Sequence, residues 1–114
     1  MASRVAHSIT RGDVRFFTFA PPDKKRPVLV LTRDGAIGYL STVTVAPITS
    51  SIRNVPSEVI LTEEDGMKAP CVVNLHNAVT VSKNRLGMRV SQLGPARMRE
   101  ICAALRFSLG CASV

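Results

Sequence analysis

The sequence predicts a mainly β fold with one α-helix: a small barrel-like or strongly curved antiparallel sheet with a C-terminal amphipathic helix packed on it or across one end. Three observations predict it. Between residues 13 and 93, short apolar runs rich in Val, Ile and Thr alternate with Gly-, Pro- and Asp-bearing turns, the punctuation of a many-stranded antiparallel sheet. Only after Gly94-Pro95 does the apolar period become helical. A chain of 114 residues suits one hydrophobic core. Residues 1–114 therefore read as one domain of roughly five to seven short strands and a terminal helix.

Residues 1–11 are polar and irregular, and read as a loose N-terminal arm. Alternation begins in 13-DVRFFTFA-20, with Val14, Phe16 and Thr18 on one face. The prolines of 21-PPDKK-25 make a turn. The run 27-PVLVLT-32 is apolar on both faces, as a strand covered on both sides must be, and Pro27 is tolerable as its first residue. Asp34-Gly35 and Gly38 mark 33-RDGAIGY-39 as a turn. The third strand, 42-TVTVAPI-48, ends around Pro47 and passes into 49-TSSIRNVPS-57. The fourth is 58-EVILT-62, followed by the charged turn 63-EEDGMKAP-70. One or two short strands lie in 71-CVVNLHNAVTV-81, and the turn 82-SKNR-85 leads to a last strand in 86-LGMRVSQL-93.

The helix has its own start and stop signals. Pro95 suits a first helical position and Gly110 a left-handed cap. Met98, Ile101, Cys102, Leu105 and Leu109 recur at i, i+3, i+4, i+7 and i+11, one apolar stripe. Arg97, Arg99 and Arg106 fall off that stripe and should face solvent.

Eleven Arg and four Lys against eight acids give a formal net charge of +7. A small domain this basic points to a polyanion, nucleic acid first. The cations are scattered along the chain, which disfavours a membrane surface, and no apolar run is long enough to span one. The N-terminus holds no apolar segment of the signal-peptide kind. Cys71, Cys102 and Cys111 are odd in number and widely spaced, which fits reduced thiols in a cytoplasm. No metal site is expected. Besides the cysteines only His7 and His76 are soft ligands, and Cys71 with His76 would leave a zinc half-coordinated. There is no GxSxG elbow, GxGxxG or P-loop, so no nucleotide cofactor is indicated. Arg11-Gly12-Asp13 reads as a turn entering the first strand.

What remains is cationic and hydroxyl-rich: Lys24, Lys25, Arg26, Thr49, Ser50, Ser51, Arg53, Asn54, Asn74, His76 and Asn77, all at strand ends or in turns. A guanidinium can hold two phosphate oxygens and keeps its charge, while hydroxyls and amides add neutral donors. Such a set suits gripping a phosphodiester and stabilising the charge of its transition state. If the polyanion is RNA, its own 2′-OH can be the nucleophile. Taken singly, each residue is better read as surface solubility or turn chemistry; only their concentration at a few strand ends points to a site.

The ordered blocks 11-RGDV-14, 26-RPVLVL-31, 47-PITSSIRNVPSEVIL-61, 71-CVVN-74 and 80-TVSKNRLG-87, followed by an amphipathic helix, resemble the MazF/PemK family of toxin ribonucleases. The likeness runs from about residue 11 to 109. It implies an SH3-like curved antiparallel sheet with helices and a homodimer. It also implies metal-independent cleavage of single-stranded RNA at short sequences, leaving a 2′,3′-cyclic phosphate and a 5′-OH. A cognate antitoxin that lays an acidic tail across the substrate groove is implied as a partner. The family's catalytic Arg, immediately before PVLV, falls on Arg26, and its catalytic Thr falls on Thr49. Lys24, Lys25, Ser50, Ser51, Arg53, Asn74 and Asn77 are the expected RNA contacts.

The first loop is shorter than in many relatives. Where many carry an acid and Gln in a D/E-Q-I-R-T block, this chain reads 76-HNAVT-80. His76 then stands at the acidic position, as a candidate to accept the 2′-OH proton, and Asn77 stands at the Gln. Two other readings use the same scaffold: a CcdB-like toxin that inhibits gyrase, and an RNA-binding barrel without activity.

Overall fold

In a computed structural model of the chain, residues 9–21 and 24–111 are described. The expected arm over residues 1–8, with His7, and the turn residues Pro22 and Asp23 lie outside them. The described elements are β1 (Asp13–Thr18), β2 (Lys25–Val30), α1 (Asp34–Ile37), β3 (Thr42–Thr49), β4 (Glu58–Leu61), β5 (Cys71–Asn74), β6 (Val79–Ser82), β7 (Arg89–Gln92) and α2 (Pro95–Leu109). All strand pairs are antiparallel, in the order β4-β5-β3-β2-β1-β7, with β6 also on β3. The sheet is a curled half-barrel with open edges at β4 and β7.

Its two faces carry separate cores. On one, Val14, Leu29, Ala46, Ile48 and Val73 pack against Met98, Ile101 and Ala104 of α2. On the other, Phe17, Val28, Val30, Val43 and Val45 pack with Ile9 and with Ile37 of α1. β2 supplies both, which is why PVLVL has no polar residue. No helix among the described residues is long and apolar enough to cross a membrane.

Several expectations need correction. β1 is not half-buried: Val14 and Phe17 both pack inside, on opposite faces, because each face has its own core. Ile9 to Arg11 are not loose. Ile9 is buried, and Arg11 donates from its backbone to Asp34, from Nε to the Leu31 carbonyl and from Nη2 to Cys102 Sγ. The expected turn at 33–39 contains the one-turn helix α1, which delivers Ile37 to the second core. β3 does not stop at Pro47. Pro47 sits where β3's neighbour changes from β6, paired up to Val45, to β5, paired from Ile48. There a missing N–H costs the ladder least.

The helix stripe also shifts. Met98, Ile101 and Ala104 are buried, whereas Leu109 is 67% exposed. Arg97 does not simply face solvent: its Nε and Nη2 fork onto both oxygens of Asp65, each at 3.0 Å, pinning the 63–65 turn to α2. That hydrogen-bonded partner lowers the Asp65 carboxyl below its ordinary range.

Candidate active site

Arg26 lies inside β2, not one step outside its end. Its Cα partner on β1 is Phe17. On the other side β2 pairs with β3 through Val28↔Pro47, Leu29↔Ala46 and Val30↔Val45, and this register, continued by two residues, sets Arg26 opposite Thr49. Side chains two apart on a strand share a face, and directly opposed residues share it too. Arg26 and Thr49 therefore both continue the face that carries Phe17, Val28, Val30 and Val45. Both are half-buried. No hydrogen bond or ion pair engages the Arg26 guanidinium among the described residues. A strand-mounted cation with its donors free, facing a hydroxyl, is placed to receive a phosphate.

The other predicted residues distribute around this pair unevenly. Lys25 alternates to the opposite face, where its Nζ stands 4.8 Å from the Phe16 ring centroid. Lys24 is exposed beside it. Ser50, Ser51 and Arg53 follow Thr49 in an exposed loop. Glu58 shapes that loop by accepting at Oε1 from the backbone N–H of Arg53 and of Asn54, each at 3.0 Å. Asn54 takes the left-handed conformation, φ 59°, where Asn is better tolerated than most residues.

His76 is placed elsewhere. Between Asn74, the last residue of β5, and Val79, paired with Val45, the chain makes a 3-10 turn over Leu75–Asn77 and bulges off the sheet. Leu75 fills the core under α2, Asn74 Oδ1 caps the turn by accepting from the His76 N–H, and His76 Nδ1 lies 3.2 Å from Ser108 Oγ on α2. The bulge thus carries His76 and Asn77 toward the helix side. The β2–β3 register, continued, sets Arg26 opposite Thr49, whereas the His76 ring is bonded to Ser108 of α2.

Sequence reasoning missed the contacts of three charged residues along β1. Asp13 is fully buried. Its carboxylate accepts from the Thr10 N–H and hydroxyl, from Arg15 Nε at 3.0 Å and from Gln92 Nε2 at 3.0 Å, with Arg89 Nη1 at 3.5 Å. Burial alone would raise its pKa, but the Thr10 and Arg15 donors outweigh it, and the carboxyl is held below its ordinary value. Arg15 is buried with it and also donates to the Gly87 carbonyl at 3.0 Å. The third is Arg85, whose Cζ stands 5.0 Å from the Phe17 ring centroid while Nη2 donates to the Thr18 carbonyl at 3.1 Å. Asp13 and Arg85 lie in runs read as turns and Arg15 in one read as a strand, and nothing local to those runs signals either arrangement.

Among the described residues no group of three or more His, Cys, Asp or Glu is placed to hold a metal ion. Burial, with the Asp65 charge, pushes the Cys71 thiol up, as in an inert core cysteine.

Residues 10–109 match the model of a family described as "PemK-like, MazF-like toxin of type II toxin-antitoxin system". Two similar proteins from Mycobacterium tuberculosis strain H37Rv are "Probable endoribonuclease MazF2" and "Probable endoribonuclease MazF5". The first is 40% identical over 102 residues, covering 89% of this chain and 98% of that protein. The second is 42% identical over 102 residues, covering 89% and 93%. Among solved structures, the Mycobacterium tuberculosis toxin MazF-mt6 superposes with a TM-score of 0.79 at 31% identity, over 86% of this chain and 96% of that one. An endoribonuclease in complex with its cognate antitoxin, from a mycobacterial species, shares the fold with a TM-score of 0.83 at 24% identity, over 94% and 100%.

Proposed function

The chain belongs to the PemK-like, MazF-like toxin family, and on that premise we propose that it is the toxin of a toxin–antitoxin pair, an endoribonuclease that cuts single-stranded RNA. One feature of the chain's own geometry supports the catalytic assignment: the β2–β3 register, which continued by two residues sets Arg26 opposite Thr49, with no partner for the guanidinium among the described residues. The RNA 2′-oxygen attacks the adjacent phosphorus as the bond to the 5′-oxygen breaks, giving a 2′,3′-cyclic phosphate and a 5′-OH. Arg26 holds two oxygens of the scissile phosphate and stabilises the added charge. Thr49 donates to a non-bridging oxygen. The 2′-OH loses a proton and the leaving oxygen gains one. His76 is bonded to the helix, so water is the proposed carrier on this face.

Lys24, Ser50, Ser51 and Arg53 extend the cationic and hydroxyl surface from the pair, and Lys25 adds longer-range attraction for the strand. No metal or cofactor enters this scheme. The apolar groove lined by Ile60, Ala103 and Phe107 beside the open edge of β4 supports a homodimer. The basic substrate face supports an acidic antitoxin segment as inhibitor, and a cytoplasmic location fits all three cysteines being free.

Incubation of the purified protein with a defined RNA in EDTA tests the reading. Cleavage with a cyclic phosphate on the 5′ product supports it. Intact RNA under every condition would refute it and favour a gyrase-directed toxin or a non-catalytic RNA-binding module.

A further inference from the structure

We propose that Arg85 is a substrate-binding residue of this same site, gripping an RNA backbone phosphate next to the scissile one. The proposal rests on the nuclease reading above. Phe17 is the hinge of the argument. It stands directly across the β1–β2 ladder from Arg26, so the two side chains share a face with Cβ atoms about 5 Å apart. Phe17 is itself buried in the second core, edge-on against Phe19 at 4.8 Å, and the Arg85 guanidinium lies over its ring at 5.0 Å. Arg85 thus comes from a distant turn to the flank of Arg26, separated from it by one ring.

Its own contacts define what it can do. Nη2 donates one hydrogen to the Thr18 carbonyl, which with the ring fixes the plane of the guanidinium. No carboxylate pairs with it among the described residues, and it is exposed. Four of its five N–H donors stay available to an oxyanion. A guanidinium fixed in this way has little freedom left to lose on binding, which favours affinity. It is equally unable to follow a phosphorus centre as its geometry changes, and that is the work left to Arg26, whose guanidinium has no partner among the described residues. Two cations side by side on one face match two successive phosphates of one strand. Arg85 should therefore act on substrate binding and Arg26 on the chemical step.

The competing possibility is that Arg85 serves only as a lid on Phe17. Arg85→Met separates the two, since it keeps a long apolar stem over the ring and removes the charge. Steady-state cleavage of an oligoribonucleotide containing a site cut by the wild-type chain is measured at several salt concentrations, with circular dichroism as the check on folding. A folded Arg85→Met should raise KM about 10- to 100-fold, the loss of one charged hydrogen-bonding partner. Its kcat should change by less than about threefold, and the slope of log KM against log salt should fall by about 0.7, one single-strand phosphate contact. Arg85→Lys should restore the slope while leaving part of the KM defect, because a point charge lacks the fork. Wild-type KM and salt slope in a folded Arg85→Met would overturn the proposal while leaving the nuclease reading intact. A wild-type chain that cuts no RNA would overturn both.

Discussion

Replacing Asp13 by Asn, an isosteric change, should destabilise the fold by about 3–5 kcal/mol, the cost of leaving a buried charge without its counter-charge. The figure follows from the surroundings. Asp13 is 0% exposed, and every contact around it is a donor: the Thr10 N–H and hydroxyl, Arg15 Nε, Gln92 Nε2 and Arg89 Nη1. An Asn side chain must turn an amide NH2 toward one of these donors, and it supplies no charge for Arg15, which is 5% exposed. Urea unfolding at neutral pH measures the loss directly, and a Tm lowered by more than about 10 °C should accompany it.

The pH dependence provides a second check. Because the folded carboxyl is lowered from an ordinary value of 3.8, its contribution is fully present above that value. It is lost as pH falls through the folded pKa, so the gap between wild type and Asp13→Asn should close in acid. A gap under about 1 kcal/mol at pH 7, or one that does not narrow in acid, would refute the argument that a paired buried carboxylate holds this corner.

Other substitutions probe the site and the scaffold. Arg26→Ala should cost roughly 3 kcal/mol of transition-state stabilisation, about a hundredfold in kcat, with unfolding unchanged; normal cleavage would remove Arg26 from the mechanism. His76→Gln should leave the pH–rate profile of cleavage as it is in the wild type, because His76 is bonded to α2; a changed profile would make His76 the base. Gly66→Ala should destabilise by about 1–3 kcal/mol, since Gly66 has φ 89° and an added Cβ would lie 2.6 Å from Ser91 Oγ. A thermal melt matching wild type would show that the turn relaxes.

The strands were legible wherever one local rule governed the pattern. PVLVL read as covered on both sides because nothing polar interrupts it, and Pro95 and Gly110 bracketed α2 because each has one cheap backbone role. β1 was misread because period-2 reasoning assumes one buried face, whereas Val14 and Phe17 enter different cores. Pro47 misled in the same way: its tolerance depends on which strand lies beside it, and that is set by residues 25 and more positions away. In the proposed site, Arg26 and Thr49 were singled out because their blocks resemble a family. The separation of His76 from them was not visible, since it depends on how a four-residue bulge resolves against a single residue of β3. Asp13 and Arg15 looked like turn and surface charges because each is satisfied by partners distant in sequence, among them Arg89 and Gln92.

The pairing of β1 with β7 has a consequence for the order in which the toxin becomes competent. β2 and β3, with Arg26 and Thr49, are complete by residue 49, yet Asp13 gains its Arg89 and Gln92 donors, and Phe17 its Arg85 neighbour, from residues 85–92. Contacts so distant along the chain form late and slowly. A growing polypeptide therefore holds Arg26 and Thr49, the proposed reactive pair, long before it can stiffen the wall beside them. If Arg26 and Thr49 act as proposed, the completed wall comes last, as an arch bears no load until its last stone is set.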